Sequence, residues 1–419
     1  MRASRFRKMR KLVAHPTAYR RLLVLSAILL FASGCATLPR NAVPVDKIYS
    51  AEIVGMPDIR AWGGQIAEHF QADAVESVLD ESRGEFPRDE NGVPIYDLLA
   101  LSGGGSNGAF GAGFLYGWTK AGTRPNFKLV TGISTGALIA PFAFLGPDYD
   151  AQLKQLYTTM STADLVIKQG LLKILFRSES YTLTDPLKRL IDRNIDGKIL
   201  QAVAVAHDRG HRLYIGTTHL DAQRLVIWNM GLIAKTAHPN ALELFRKILL
   251  ASASIPGAMP PVLIEVDVDG EEFDEMHVDG GAATQVFLHA GTMDIEAAAR
   301  SALGDDYQYQ GDLYIIRNGR LKPEPQQTER KLASIAGRAI STMIKTAAVD
   351  DLFRMYAYTQ REQLGFKYID IPDDFESRAQ EPFDPEEMGR LFETGYQLAL
   401  SGDVWETIPP GLASAPDTQ

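Results

Sequence analysis

"LALSGGGSNGAFGAGF" (Leu99–Phe114) carries an apolar run into a cluster of glycines and out again into a small-residue helical pattern. Tyr96–Leu101 has the length and apolar character of a buried strand, and Ala109–Ala121 reads as a helix. The arrangement then repeats. "FKLVTG" (Phe127–Gly132) reads as a second strand and Thr135–Leu145 as a second helix. Strand, turn and helix twice in 50 residues is the βαβ signature of a parallel sheet with helices on its faces. The fold expected is therefore α/β: a mainly parallel central sheet flanked by helices.

Outward from this block the chain stays regular. Gln65–Leu79 reads as a helix, and "TDPLKRLIDRNI" opens another, with Thr184 or Asp185 as N-cap and Pro186 in the first turn. "HRLYIGTTHL" and "QRLVIWNM" alternate like paired strands, Asn240–Ser252 is helical, and Asp269-Gly270 marks a hairpin turn. Asp312–Asn318 is a further buried strand. The last hundred residues read as mainly helical. One late helix has Asp384 as N-cap, Pro385 at its first position, Glu387 in capping-box register and Gly402 past its end. "DLVIKQGLLKILF" (Asp164–Phe176) reads either as a lipid-facing lid helix or as an ordinary core-facing one.

Three motifs carry chemistry. Gly103-x-Gly105-x-x-Gly108 matches a dinucleotide fingerprint in spacing, but no Asp or Glu lies between Asp97 and Asp148 to hold a ribose. No Lys-Ser/Thr follows Gly108, so the P-loop fails too. The glycines then serve a structural turn, or they aim backbone N–H groups at a developing oxyanion. Gly132-Ile133-Ser134-Thr135-Gly136 is a G-x-S-x-G between strand and helix. That spacing lets a nucleophilic hydroxyl stand on a sharp turn, with small residues on either side and a helix N-terminus behind it. Asp279-Gly280-Gly281 is by itself an ordinary turn signal.

Taken in this order, Gly103–Gly108, Gly132–Gly136 and Asp279–Gly281 resemble the motifs of the patatin-like phospholipase family, and "ASASIPGAMPPV" (Ala251–Val262) resembles that family's segment before the Asp. The resemblance spans roughly residues 96–290. It implies a serine acyl hydrolase acting on carboxylic esters of lipids, of phospholipase A or lysophospholipase type, with a Ser–Asp dyad and no catalytic histidine; no cofactor or metal is expected. Ser134 is then the nucleophile and Asp279 the base. The backbone of Gly103, Gly104, Gly105 and Gly108, aided by Thr135, forms the oxyanion hole. Asn107 departs from the Arg or Lys common at that place in the family's loop. A Ser–Asp–His triad through His289 or His277 is the rival enzyme, and a catalytically silent envelope lipoprotein the rival of another class. His207, His211, His219 and His238 lack metal-like spacing.

Charge and the N-terminus bound the setting. Residues 1–35 hold eight Lys/Arg and no acid. The remainder has 35 Lys/Arg against 52 Asp/Glu, a net of −17, which disfavours nucleic acid as a partner. "LLVLSAILLFA" (Leu22–Ala32) is an apolar run of eleven residues broken only by Ser26, signal-peptide length and too short to span a membrane. It runs into "ASGC", where Cys35 is the single cysteine of the chain. The stretch resembles the lipobox of bacterial lipoproteins, which implies cleavage before Cys35 and its lipidation. Ala36, in place of an Asp, then points to the outer membrane. The expected organisation is a signal segment (1–35), a tether and N-terminal arm (36–94), the catalytic domain (95–290), and a C-terminal strand with helices packing on it (291–419).

Overall fold

The computed structural model describes residues 40–412, except 83, 165–166, 169–181 and 290. The expectations for the leader and Cys35 lie outside the described residues. So does most of Asp164–Phe176; within it, Ile167–Lys168 pairs as a two-residue strand with Thr182–Leu183, where a helix was expected.

Among the described residues one sheet of nine strands organises the protein: β1 (Arg60–Trp62), β2 (Asp97–Leu101), β3 (Phe127–Ile133), β4 (Arg212–His219), β5 (Arg224–Asn229), β6 (Val262–Val268), β7 (Glu271–Asp279), β8 (Asp312–Ile316) and β9 (Gly365–Ile369). The order is β1-β5-β4-β3-β2-β8-β9, with β7 joined to β4 and β6 to β7. Four pairings are parallel (β4·β3, β3·β2, β2·β8, β8·β9) and four antiparallel. The sheet is thus mixed, not mainly parallel. The four-residue turn after β4 and the two-residue turn at Asp269-Gly270 fold strands back on their neighbours, and connections this short permit only the antiparallel sense. Helices α1 (Glu68–Leu79), α2 (Gly108–Lys120), α3 (Thr135–Leu145), α4 (Asp150–Thr159), α5 (Ala241–Ser252), α6 (Leu332–Arg361) and α7 (Pro385–Leu400) bear on the site.

Alternation along the strands feeds two cores. Leu99, Leu101, Val130, Leu213 and Ile215 face one side, against Phe110 and Phe114 of α2, Phe142 of α3, Phe245 and Ile248 of α5 and Phe392 of α7. Leu98, Ala100, Leu129, Ile133 and Tyr214 face the other, with Phe70 of α1, Val286–Leu288 and Leu352 and Met355 of α6. Burial on both faces explains why β2 and β3 read as unbroken apolar runs.

Segments before and after the motif-bearing block are woven into this body. β1, in the segment read as tether and arm, is an edge strand on β5. α1 begins at Glu68 and is clipped to the start of β4 by the buried Asp73–Arg212 ion pair at 2.7 Å. β8 inserts beside β2, and β9, within the stretch read as mainly helical, extends the sheet. Asp384 caps α7 as expected, accepting from Glu386 N–H and Glu387 N–H. Glu387 closes no reciprocal box; its carboxylate takes the Arg378 N–H and the Arg390 guanidinium.

Candidate functional site

The register of β4 brings the two motif residues together. Leu129–Ile133 of β3 pair in parallel with Arg212–Gly216, and on the same edge Thr217–His219 pair antiparallel with His277–Asp279 of β7. The two strands run toward each other and stop at adjacent residues of β4, Gly216 and Thr217. Ser134, one residue beyond β3, and Asp279, the last of β7, meet at that junction. The Ser134 hydroxyl donates to Asp279 Oδ2 at 2.6 Å.

Ser134 stands on a strained turn, at φ 54° and ψ −122°, a conformation that side chains other than glycine rarely adopt. Three contacts hold it there. Its N–H donates to Ser252 Oγ at 3.0 Å, Ser252 Oγ donates to Gly216 O at 2.7 Å, and Ser134 O accepts from Ala137 and Leu138 at the start of α3. Gly136 is required because a Cβ would lie 2.3 Å from Leu101 O. Tyr157 of α4 ties down the first turn of α3, bonding both the hydroxyl (2.6 Å) and the carbonyl (3.0 Å) of Thr135.

Asp279 is 5% exposed, and Oδ1 accepts the Gly281 N–H at 2.7 Å. Burial pushes its carboxyl up from 3.8 to about 6, against the opposing pull of the Ser134 and Gly281 donors. The carboxylate remains mostly ionised at neutral pH yet is more basic than an ordinary aspartate.

The glycine loop lies against the serine. A Cβ on Gly103 would sit 3.4 Å from Ser134 Cβ. Gly103 and Gly108 were expected among the oxyanion donors, but their N–H groups are taken, by Gln285 O at 3.0 Å and by the turn carbonyls of Gly105 and Ser106. The N–H groups of Gly104, Gly105 and Thr135 have no acceptor among the described residues. A hydroxyl with a proton acceptor in line and unsatisfied backbone donors beside it can attack an acyl carbonyl and stabilise the resulting oxyanion.

Residues that the motifs did not reveal support this loop. Arg317 and Asn318 follow directly on β8. Arg317 Nη1 donates to Ser102 Oγ at 2.9 Å and to Gly103 O at 2.7 Å. Asn318 bonds Ser102 twice and accepts the Gly111 N–H, while its own carbonyl fills the space where a Gly104 Cβ would go. Asp351 of α6 accepts the N–H groups of Gln285 (2.6 Å) and Val286 (3.3 Å), fixing the strap behind the Asp279 turn. The one sequence signal for Arg317-Asn318 is polar residues ending an apolar run, at the carboxyl end of a parallel strand, where sites collect in such sheets.

The histidines of the rival triad are engaged elsewhere. His289 Nδ1 accepts the Gly291 N–H at 3.1 Å, and its Nε2 faces Arg361 and Glu362. His277 bonds Thr217 at 2.9 Å and Glu275 at 3.1 Å, and burial pushes it down to about 4. Asp279 Oδ1 and Oδ2 are taken by Gly281 and Ser134 instead. Among the described residues His219, Glu275 and His277 form one buried group with metal-ligand chemistry. Arg60 already holds both Glu275 oxygens. The Ala222 N–H at His219 Nδ1 places that ring's proton on Nε2, facing Glu275. Donors, not lone pairs, converge on the carboxylate, so the group fits a buried ion network better than a cation site.

An α/β sheet with a serine on a strand-to-helix elbow and an aspartate in line defines the class of protein. Residues 99–290 match the model of the patatin-like phospholipase family. Solved structures with a similar course include VipD from Legionella pneumophila (11% identity, 75% of this chain and 69% of that chain, TM-score 0.35). They also include the Pseudomonas aeruginosa type III effector ExoU (12%, 75% and 55%, 0.35) and human GIVD cytosolic phospholipase A2 (10%, 82% and 67%, 0.37). The chain thus spans about half the length of ExoU. No match was found among curated proteins.

Proposed function

We propose that this patatin-like protein hydrolyses carboxylic ester bonds of lipids, phospholipids or lysophospholipids among them, through an acyl-Ser134 intermediate. The observation that carries the reading is the 2.6 Å hydrogen bond from Ser134 Oγ to the buried carboxylate of Asp279. Ser134 Oγ attacks the ester carbonyl carbon as its proton passes to Asp279 Oδ2. The oxyanion forms beside the N–H groups of Gly104, Gly105 and Thr135. As the C–O bond breaks, Asp279 returns the proton to the leaving alcohol oxygen, leaving acyl-Ser134. Water then attacks the acyl carbon, giving its proton to Asp279, and the fatty acid departs as Ser134 Oγ regains a proton. A carboxyl titrating near 6 suits both halves, since it accepts a proton at pH 7 and gives it back without a large barrier.

A lipid substrate is further supported by the exposed apolar side chains in the first half of α6. Leu332, Ile335, Ile340 and Met343 are exposed there, in a stretch (330–349) with four Lys/Arg and no Asp or Glu, a composition suited to a lipid surface. The leader and Cys35 support a second proposal, that the protein is exported and held at the bacterial outer membrane by a lipid anchor. The test of the first reading is labelling with a fluorophosphonate followed by intact-mass measurement, with release of fatty acid from defined phospholipids and lysophospholipids. One adduct, lost in Ser134→Ala together with turnover, supports it. Absence of labelling and of turnover in the folded protein favours the silent lipoprotein.

A further inference from the structure

Arg317 is a buried cation that the reaction just described leaves without a task. It is 5% exposed, its Nε has no hydrogen-bond partner, and it forms no ion pair with a carboxylate among the described residues. Burial pushes it down to about 10, opposed only at longer range by Asp351 and Asp370. A guanidinium is costly to bury in this way, and so large a cost calls for a counterpart. The counterpart is a carbonyl. Gly103 O accepts from Arg317 Nη1 at 2.7 Å and from Ser102 Oγ at 2.7 Å, while Ser102 Oγ itself accepts from Arg317 and from the Asn318 N–H.

The peptide that follows is the one that matters. It joins Gly103 to Gly104, and no peptide among the described residues is cis. In a trans peptide the C=O and N–H point in opposite directions. Fixing Gly103 O on Arg317 therefore turns the Gly104 N–H directly away from it, and that N–H has no acceptor among the described residues. Two donors on that carbonyl, one of them charged, also polarise the peptide and make the N–H at its other end a stronger donor. The loop itself offers only the neutral Asn107, so the charge behind the oxyanion site comes from a residue more than 200 positions away.

We propose that Arg317 is a positioning residue for the oxyanion site: through Gly103 O it sets the direction and strength of the Gly104 N–H that receives the oxyanion. The inference rests on the ester-hydrolase reading above. Its signature is a loss in the transition state with ground-state binding intact.

The experiment compares wild type with Arg317→Lys, Arg317→Gln, Arg317→Met and Ser102→Ala, each checked for folding by circular dichroism and thermal melting. Kinetics are measured on a short-chain nitrophenyl ester. Inhibition is measured with an alkyl trifluoromethyl ketone, whose serine adduct carries the oxyanion, and with the corresponding non-electrophilic alkyl ether. Removing one oxyanion donor typically costs about 10²–10³ in rate. The expected result for Arg317→Met is a fall in kcat of roughly 10²-fold with KM within about twofold, and partial recovery in Arg317→Lys. Ketone affinity should weaken in proportion to kcat/KM across the series, with ether affinity unchanged. If the Arg317 variants fail to fold, Ser102→Ala supplies the same test, since it removes one donor from Gly103 O and one anchor from Arg317. Folded variants whose kcat stays within threefold of wild type, or whose ketone affinity does not follow kcat/KM, overturn the proposal. Undiminished turnover in Ser134→Ala would instead overturn the reading on which it rests.

Discussion

Asp279→Asn should abolish turnover and stabilise the protein, and the second effect should vanish in acid. The carboxyl of Asp279 titrates at about 6 in the native protein and near 3.8 as an ordinary aspartate, a gap of about two units worth roughly 3 kcal/mol. Below pH 3.8 the group is protonated whether the chain is folded or not, and it costs folding nothing. Between 3.8 and 6 the native state keeps a proton that the unfolded chain releases, so stability falls as pH rises. Above 6 the full cost of the buried carboxylate is present. Asparagine does not titrate and escapes this cost. Its oxygen still accepts the Gly281 N–H, but its amide now points at Ser134 Oγ and donates to it, reversing the bond that readies the hydroxyl. Loss of the general base alone is expected to lower kcat about 10²–10⁴-fold. Urea unfolding of both proteins at pH 4 and pH 8 reads the linkage. The stability of the variant relative to wild type should rise by roughly 3 kcal/mol between the two. A relative stability that is the same at both pH values, or that moves toward wild type as pH rises, would refute the account of Asp279 as a carboxylate kept basic by burial. In wild type, kcat/KM should fall tenfold per unit below about pH 6 as Asp279 takes up its proton.

Ser134→Ala should leave a folded protein with background turnover; an undiminished rate on short-chain nitrophenyl esters would remove Ser134 from the mechanism. His289→Gln and His277→Gln should each keep most of the activity, because both rings bond away from Ser134 and Asp279. A thousandfold loss in folded His289→Gln would install the triad in place of the dyad. In a Gram-negative host, wild type should partition into detergent and carry added acyl mass at Cys35, and Cys35→Ser should not. Wild-type protein found soluble in the periplasm without acyl mass would refute the anchor.

What the sequence disclosed and what it withheld follow from the range of the interactions. β2 and β3 were legible because burial on both faces makes each an apolar run, and the elbow because Gly136 admits no Cβ beside Leu101 O. These are local facts. β1 and β9 were missed because a short edge strand needs little alternation of its own; its partner supplies the register. The mixed sense of the sheet was missed because the parallel signal at residues 96–145 was extended to strands whose tight turns require the opposite. The meeting of Ser134 with Asp279 spans 145 positions and is set by where two strands end on β4, which no spacing in either motif encodes.

The glycine loop is the sharpest case. Read alone, its glycines are interchangeable candidates for oxyanion donors. In the fold they separate, because backbone donors are satisfied wherever a carbonyl is in reach. Gln285 O takes the Gly103 N–H and the turn takes that of Gly108, leaving Gly104 and Gly105. Which glycine N–H is left free is therefore decided from outside the loop, by Gln285 on one side and by Arg317 and Asn318 on the other. Those residues arrive on the strap after Asp279 and at the end of β8. The carboxyl ends of β2, β3 and β8 lie side by side in the sheet, and each delivers one part: the loop, the serine and the buried cation. A site assembled this way needs strand ends in register more than it needs a long motif. The C-terminal segment that contributes β8 is accordingly part of the candidate site's architecture, and a chain cut after residue 290 would keep all three motifs and lose the groups that orient them.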